Sequence, residues 1–362
     1  MERLPRPRSP RVKLASTIVA VVVAFATFAP MFRSRQWWIR IFDFPRIQVA
    51  VLAVVGLGLA TWCCRLEDLA SLATAGLLAF CVVWQSALML PYTPLWRRQV
   101  HDARSNDESR RVTLLLANVL MTNRNADQFQ QIVEESDPDI VLAVEADHWW
   151  LDQLKPLARL LPYTVFCPLE NTYGMLLFSR LELIEPNVGF VVEEDVPSIH
   201  TLCRLPSGQE IELRFLHPRP PYPSEASESA PRDAELLIVG AEVKKSQLPR
   251  IVAGDLNDVA WSRTTKVFQK ISGLLDPRIG RGFFNTFHAT IPLLRFSLDH
   301  VFHSNEFRLC ELRVLPNFGS DHFPVLISLS YEPDAVLQQP EPEPQPEDID
   351  EKHEAVTDAE QM

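Results

Sequence analysis

AGDLND (253–258) is a short apolar run that ends in a carboxylate, an amide and a second carboxylate. Residues 250–254 read as a strand and 262–274 as a helix, so Asp255 and Asn257 fall where the strand meets its loop. One such run says little, because an Asp after an apolar strand is commonly a helix N-cap or a turn residue. Four further runs repeat the pattern: DIVLAVEAD (139–147), LHP (216–218), SLDHVF (297–302) and GSDHFPV (319–325). Each is apolar and ends in acidic, amide or imidazole side chains. Polar groups therefore gather at one edge of a buried sheet, which supplies a rigid platform while its loops carry chemistry. Carboxylates, amides and imidazoles in this arrangement are what metal-dependent phosphoryl transfer needs. A phosphate ester resists anionic attack, so its site must neutralise charge, hold a water in line and stabilise the leaving oxygen.

The order and spacing of these runs resemble the endonuclease/exonuclease/phosphatase superfamily, the group of DNase I-like nucleases, sphingomyelinases and inositol-polyphosphate 5-phosphatases. The resemblance covers residues 111–330. VTLLLANVL (112–120) carries Asn118 at the place of that family's opening Asn. Glu145 matches its principal metal-binding Glu and His217 its mid-chain His, while Asp255 and Asn257 match its Gly-Asp-x-Asn element. Asp299 matches its strand-borne Asp, and Asp321 with His322 its closing Ser-Asp-His. The segments GDLNDVAWSRTTKVFQ and GRGFFNTF, with the SLDH and GSDHFPV runs, look most like the membrane-tethered bacterial branch. The chain departs from the family pattern around the first Asn, where Ala117 and the following VLMTNRN leave open whether Asn123 or Asn125 also contributes.

The resemblance implies a four-layer α/β/β/α sandwich, DNase I-like, and a hydrolase acting on phosphate ester bonds. Mg²⁺ is the implied cofactor, with Mn²⁺ as a substitute. A hard cation that keeps most of its waters and takes one or two carboxylates suits Glu145 as main ligand, with Asn118 and Asp321 nearby. The implied catalytic set is His217, Asp255, Asn257, Asp299 and His322. Asp255 orients or deprotonates the attacking water, Asn257 holds that water or a phosphate oxygen, and His217 contacts a non-bridging oxygen. His322, paired with Asp299, acts on the phosphate. Which group is the general base stays open.

Other residues of similar type read as structural. Asp299 alone is an ordinary strand-end carboxylate, and His200, His288, His300 and His303 fall on no family landmark. Asp147 and Asp258 read as helix or turn caps. Trp149 and Trp150 suit core packing or the rim of the site, and Phe283 and Phe284 a loop whose use is undecided.

The first hundred residues concern location. Residues 14–32, 47–64 and 69–90 are free of charge, and each is about long enough to cross a hydrocarbon layer of ~30 Å at ~1.5 Å per residue. A cleaved signal peptide accounts only for the first, and no small-residue cleavage site follows it. Three transmembrane helices are therefore predicted after a basic segment, 1–13, with a linker at 91–110. An odd number of spans puts the N-terminus and the catalytic domain on opposite sides. Arg3, Arg6, Arg8, Arg11 and Lys13 favour a cytoplasmic N-terminus, against Arg33, Arg35, Arg40 and Arg46 after the first span. The expected location is a multi-pass protein of the bacterial inner membrane with an extracytoplasmic catalytic domain. Its partners are then the bilayer and a phosphorylated substrate, with no protein partner inferred.

Net charge is −11 over the chain, partitioned as +8 for residues 1–100, −9 for 101–330 and −10 for 331–362. Duplex binding draws most of its affinity from Lys and Arg on phosphates, so an acidic hydrolase domain argues against nucleic acid as first choice. The tail, 331–362, with QQPEPEPQPEDIDEK, is acidic, Pro-rich and nearly free of apolar residues, and is predicted to be disordered. Cys63, Cys64 and Cys81 fall in the spans, leaving Cys167, Cys203 and Cys310 in the domain. That is no disulfide framework and no zinc spacing. The leading reading is a membrane-anchored, metal-dependent phosphohydrolase or phosphodiesterase acting on a lipid-linked phosphate; the alternative is an extracytoplasmic endonuclease or exonuclease on DNA or RNA. Monoester, diester and pyrophosphate substrates all fit the same machinery.

Overall fold

The computed structural model describes residues 10–63, 69–222 and 228–361. Continuous runs of Val, Ile, Leu and Phe form the central strands, as expected where both faces of a strand are buried. One sheet contains β1 (Arg111–Asn118), β2 (Ile140–Val144), β3 (Tyr163–Cys167) and β4 (Met175–Ser179), with β10 (Phe307–Val314) and β11 (Val325–Tyr331). Its order is β10-β11-β1-β2-β4-β3. The second contains β5 (Glu182–Phe190), β6 (Pro197–Arg204), β7 (Glu210–Leu216), β8 (Arg250–Asp255) and β9 (Asp299–His303), in that order. The pairs β1–β2 and β7–β8 are parallel and β8–β9 is antiparallel.

The sheets pack face to face through Leu114, Leu142, Val144 and Leu177 on one side and Ile211, Phe215, Ile251 and Val301 on the other. The outer face of the first sheet is covered by α5 (Ala126–Ser136) and α6 (His148–Leu154), through Phe129 and Trp150. The outer face of the second is covered by α7 (Ala230–Val243) and α8 (Arg263–Ser272), through Leu236, Leu237 and Phe268. This is the α/β/β/α sandwich. It brings the ends of β1, β2, β7 and β8 to one edge, together with the start of β9 and the loop into β11.

Ahead of the sandwich stand α1 (Pro10–Phe28), the short α2 (Trp37–Arg40), α3 (Arg46–Cys63) and α4 (Leu69–Met89). Two apolar stretches, Lys13–Met31 and Leu69–Tyr92, are long enough to cross a membrane; Trp37–Asp43 with Arg46–Trp62, bent by 72°, makes a third if taken as one span. Small residues, Ala20, Ala53, Ala60 and Ala75, let the three long helices approach closely. Of the basic N-terminal segment, residues 1–9 lie outside the described residues, as do Cys64, Arg65 and the centre of the 218–231 loop.

Two expectations are corrected. The 91–110 segment is no free linker: Val100 is fully buried in the inter-sheet core, the Tyr92 hydroxyl donates to the Ala260 carbonyl at 2.6 Å, and Ala103 N donates to Leu309 O at 2.8 Å. The acidic tail is ordered too. Pro346–Glu360 form α9, opened by a capping box between Gln345 and Asp348, with Ala355 buried against α7. Its acids pair with bases elsewhere in the chain: Asp348 with Lys270 at 3.0 Å, Glu351 with Arg263 and Asp358 with Arg35. Composition predicted disorder because it counts apolar area; here one alanine face and a set of charge partners hold the helix. Cys81, Cys167, Cys203 and Cys310 are free thiols.

Strands β5 and β10 carry weak sequence signals. Strand β5 lies at a sheet edge and is largely exposed, so its apolar alternation is weak. In β10 a register shift between Leu309 and Glu311 breaks the period of two.

The second sandwich half hides one uncompensated acid. Glu235 in α7 is 2% exposed, its Oε1 has no hydrogen-bond partner, and burial, with Glu193 adding to it, pushes its carboxyl up to about 8. The folded chain then holds a proton that the unfolded chain releases near pH 4.5, so this group costs stability progressively as pH rises from 4.5 to about 8. Glu235→Gln is expected to stabilise the protein by roughly 2–4 kcal/mol above pH 8 and by little near pH 4.5. Thermal unfolding in detergent at both pH values checks this; an equal effect at the two would contradict it.

Candidate active site

Asn118 is the last residue of β1, and Glu145 follows directly on β2. Glu145 has a left-handed backbone, φ +59°, uncommon for a residue with a side chain. The Asn118 amide Nδ2 donates both to Glu145 Oε1, at 2.7 Å, and to Asp255 Oδ2, at 3.0 Å. Its own Oδ1 accepts from Leu120 N at 3.0 Å, which fixes the amide's orientation. One amide nitrogen thus holds two carboxylates from two different sheets.

Asp255 closes β8 and is fully buried. Gly254 before it has φ +154°, and a Cβ there would run into the Leu216 carbonyl; only glycine lets β7 and β8 approach this closely. Asp255 Oδ1 accepts from Asn257 N at 3.0 Å. Asn257, at φ +50°, donates from Nδ2 to Pro218 O at 2.9 Å, and its carbonyl accepts from the buried Arg232 at 2.8 Å. His217, just after β7, donates from Nδ1 to the Asp255 carbonyl, 3.1 Å away. Tyr173 packs on the His217 ring at 5.6 Å.

Asp299, the first residue of β9, sits opposite Asp255 in the ladder. Its Oδ2 accepts from His322 Nδ1 at 2.8 Å, and the other ring nitrogen lies 3.5 Å from Asp255 Oδ2. Ser320 positions that loop: its hydroxyl donates to Asn118 O at 2.8 Å and accepts from His322 N at 3.1 Å. Gly319, at φ +103°, has no room for a Cβ beside the Asn123 and Asn125 side chains. Asn123 donates to Val119 O and Phe318 O at 3.2 and 3.4 Å, so it braces the loop that carries His322 and does not enter the site.

Seven of the eight expected residues therefore form one hydrogen-bonded cluster. Asp321 is adjacent by chain position only. Its carbonyl accepts from Ala289 N at 2.7 Å, while its Oδ1 is buried with no partner among the described residues, and it is not bonded to Asn118 or Glu145. Among the residues set aside, Asp147 caps α6 by accepting from Trp150 N at 2.8 Å, and Trp150 is core. Asp258 does not cap α8 directly: it accepts from Val259 N at 2.9 Å in the turn and from Ser262, the residue that caps α8, at 2.5 Å. His300 is locked between Arg278, 2.6 Å, and Asp258 O, 2.8 Å. The residues missed were Ser320, visible in the GSDHFPV run, and Phe287, whose ring packs on His322 at 5.0 Å and which carries no sequence signal.

Three carboxylates meet here, with Asp255 and Asp299 buried and Glu145 half-buried. Burial raises Glu145, partly offset by His217 and the Asn118 amide. Burial also works to raise Asp255, but the charges of His322 and His217 and the Asn118 and Asn257 donors outweigh it and hold this carboxyl low. Asp299 is raised by burial against the pull of His322. Burial opposes a charge on His322, yet Asp299 and Asp255 prevail and raise it to about 10. Asp255, Asp299 and His322 place ligand-type atoms within 4.8 Å of one another. Since each His322 ring nitrogen already faces a carboxylate, this trio reads as an acid–imidazole unit. Glu145 and Asp255 are different: two carboxylates sharing one amide donor are an oxygen-rich, net-negative pair that fits a hard divalent cation.

Residues 115–322 match a family model described as Endonuclease/Exonuclease/phosphatase family. No curated protein matches the chain. Among solved structures, a D. rerio TDP2 humanized by 14 mutations is similar at a TM-score of 0.52 and 15% identity, over 61% of this chain and 99% of that one. An endonuclease/exonuclease/phosphatase from Beutenbergia cavernae DSM 12333 gives 0.50 at 15% identity, over 62% and 72%. The human Nocturnin catalytic domain with bound sulfate gives 0.50 at 17%, over 65% and 97%. At these identities the likeness is one of fold.

Proposed function

The chain belongs to the endonuclease/exonuclease/phosphatase family, whose members hydrolyse phosphate esters, and we propose that this one is a membrane-anchored, Mg²⁺-dependent phosphohydrolase or phosphodiesterase of a lipid-linked phosphate. The single observation that carries the reading is the cluster in which Asn118 clamps Glu145 and Asp255 while Asp299 charges His322. Glu145 and Asp321 would hold the cation, with Asn118 aiming the Glu145 carboxylate through its Nδ2, and the cation would supply charge neutralisation at the phosphate and a polarised oxygen. The protein's own groups do the rest. Asp255, ionised and anchored by the Asn257 amide, orients the water and takes its proton. Asn257 holds that water or a phosphate oxygen. His322, kept cationic by Asp299, donates to the phosphoryl oxygen as negative charge develops, and His217 presents its remaining ring nitrogen to a non-bridging oxygen.

The lipid part of the reading is supported by what adjoins the sandwich. The segment between α1 and α3 lies on the domain's side of the helices: Gln36 bridges to Glu228, Arg40 donates to Thr264 at 2.7 Å, and Trp261 donates to Asp43 O at 2.7 Å. Its basic residues are matched by acids, Arg46 with Asp43 at 2.7 Å and Arg40 with Asp233 at 3.9 Å. With three crossings, a cytoplasmic N-terminus puts the sandwich outside the cytoplasm. A reporter active only outside the cytoplasm is expected to work when fused after Met362 and to fail when fused after Arg65; the reverse pattern would put the site in the cytoplasm.

A screen of the full chain in detergent, against phospholipids, polyprenyl pyrophosphates and DNA with and without EDTA, tests the activity. Metal-dependent turnover of a lipid phosphate is expected. Efficient DNA cleavage that persists in physiological salt would replace this reading with the nuclease.

A further inference from the structure

Phe283 to Phe296 form a strap that joins the site to the apolar helices. At its root Phe287 packs on His322, and Phe323 N donates to Thr286 O at 2.9 Å. The two arms pair with each other: Thr286 N and Phe287 N donate to Phe296 O at 2.9 and 3.0 Å, and His288 N donates to Leu294 O at 2.9 Å. The tip is apolar and uncovered, with Ile291, Leu293 and Leu294 exposed by 42%, 77% and 45%. It is tied to α3, where Gln48, in the first turn, donates to Leu293 O at 2.6 Å, and Phe44 packs edge-on against Phe296 at 5.6 Å. The strap tip therefore sits level with the start of an apolar helix, the depth at which an exposed Ile-Pro-Leu-Leu sequence meets hydrocarbon instead of water.

The other arm reaches a groove. Ile47, Ala50 and Val54 of α3 and Val82 and Ser86 of α4 line a cleft of about 370 Å³ that Phe283 closes at the domain end. Val51, Val54 and Val55 on its wall are each more than half exposed, so it opens sideways onto whatever surrounds the helices. Phe283 and Phe287 are four residues apart, so at most about 14 Å of chain separates the groove's lid from the ring on His322. In the returning arm Arg295 lies over Phe323 at 5.0 Å and donates from Nη2 to Ala289 O at 3.3 Å; its Nε is buried without a hydrogen-bond partner, and it has no acidic partner among the described residues. An apolar cleft, an apolar tip at the same level and a guanidinium without an acidic partner, lying over the ring of the residue that follows His322, are the parts needed to hold an amphiphilic anion by both ends.

We propose that the α3–α4 groove receives a hydrocarbon chain of a lipid phosphate that is still resident in the bilayer, and that the strap, with Ile291, Leu293 and Leu294 immersed, brings its head group past Arg295 to His322. This rests on the reading of the substrate as a lipid phosphate. The substrate is drawn sideways out of the membrane and never crosses water. A nucleic acid has no use for any of these features.

The test uses the full chain in phosphatidylglycerol vesicles and two groove-filling variants, Ala50→Phe and Ser86→Phe, so that misfolding of one leaves the other. A phospholipid carrying a photoreactive diazirine near the end of one chain is expected to label groove residues and Phe283, with labelling there falling at least about tenfold in the variants, the equivalent of ~1.4 kcal/mol. Labelling spread evenly over the outward faces of α1, α3 and α4, and unchanged by either substitution, overturns the groove. Turnover is measured on a long-chain lipid phosphate and on bis(p-nitrophenyl) phosphate. The ratio of lipid to soluble turnover is expected to fall about tenfold in both groove variants and in Leu293→Asp; a constant ratio overturns the proposal. If the parent protein hydrolyses no lipid phosphate at all, the lipid substrate reading fails, while the labelling pattern still decides whether the groove binds a chain.

Discussion

Asp255→Asn is expected to lower turnover by roughly 10²–10⁴-fold, the scale of losing a general base, with the fold retained. The expectation follows from how the carboxylate is held. Asp255 is fully buried and accepts from the Asn118 amide and Asn257 N. An Asn in the same place fills the same space but carries no charge to orient or deprotonate a water. Glu145→Gln is expected to cost about 10²–10³-fold for a different reason, because it removes the anionic partner that a divalent cation requires. The two are told apart by metal titration. Excess Mg²⁺ or Mn²⁺ should restore part of the Glu145→Gln activity and none of the Asp255→Asn activity, and EDTA should abolish turnover in the parent. Circular dichroism and thermal unfolding of each variant check that the sandwich survives. Near-normal turnover by a folded Asp255→Asn protein would mean that another group takes the water's proton.

The site was more legible in the sequence than its surroundings, for a physical reason. Strand-end carboxylates and imidazoles stand out against apolar runs, because a buried strand leaves few polar choices and those that remain have to be explained. Asn118, Asp255 and Asp299 were all visible that way, and the ladder then set Asp255 and Asp299 opposite one another. Residues that act by shape carry no such mark. Phe287 reads as one more aromatic until its ring is found on His322, and Ser320 as one more turn residue until it is seen bonding both Asn118 O and His322 N. Composition misled where order comes from pairing instead of apolar area. The acidic tail forms α9 because Asp348, Glu351 and Asp358 find Lys270, Arg263 and Arg35, partners distant in sequence that no window along the chain displays. The reading of 91–110 as a linker erred in the same direction, since the buried Tyr92 and Val100 and backbone bonds such as Ala103 N to Leu309 O stitch the segment to residues distant in sequence.

The second large effect concerns His322 and Asp299 as a unit. His322→Ala removes the cationic donor and is expected to cost about 10²–10⁴-fold. Asp299→Asn leaves the ring in place but takes away the carboxylate, 2.8 Å from Nδ1, that both aims it and keeps it charged against the penalty of burial. Its cost should approach that of losing the ring. The double variant is then expected to be no slower than His322→Ala alone, because Asp299 acts on the reaction only through the imidazole and has nothing left to position once it is gone. Stability behaves differently. His322→Ala leaves Asp299 buried without its cation, whereas the double variant with a neutral Asn relieves that charge, so the double should unfold at a higher temperature than the single histidine variant. Single-turnover rates and melting curves on the four proteins of the cycle decide the matter. Rate losses that simply multiply would mean that Asp299 touches the substrate independently of His322, and the carboxylate would then belong with Asp255 and Glu145 on the side of the water and the cation.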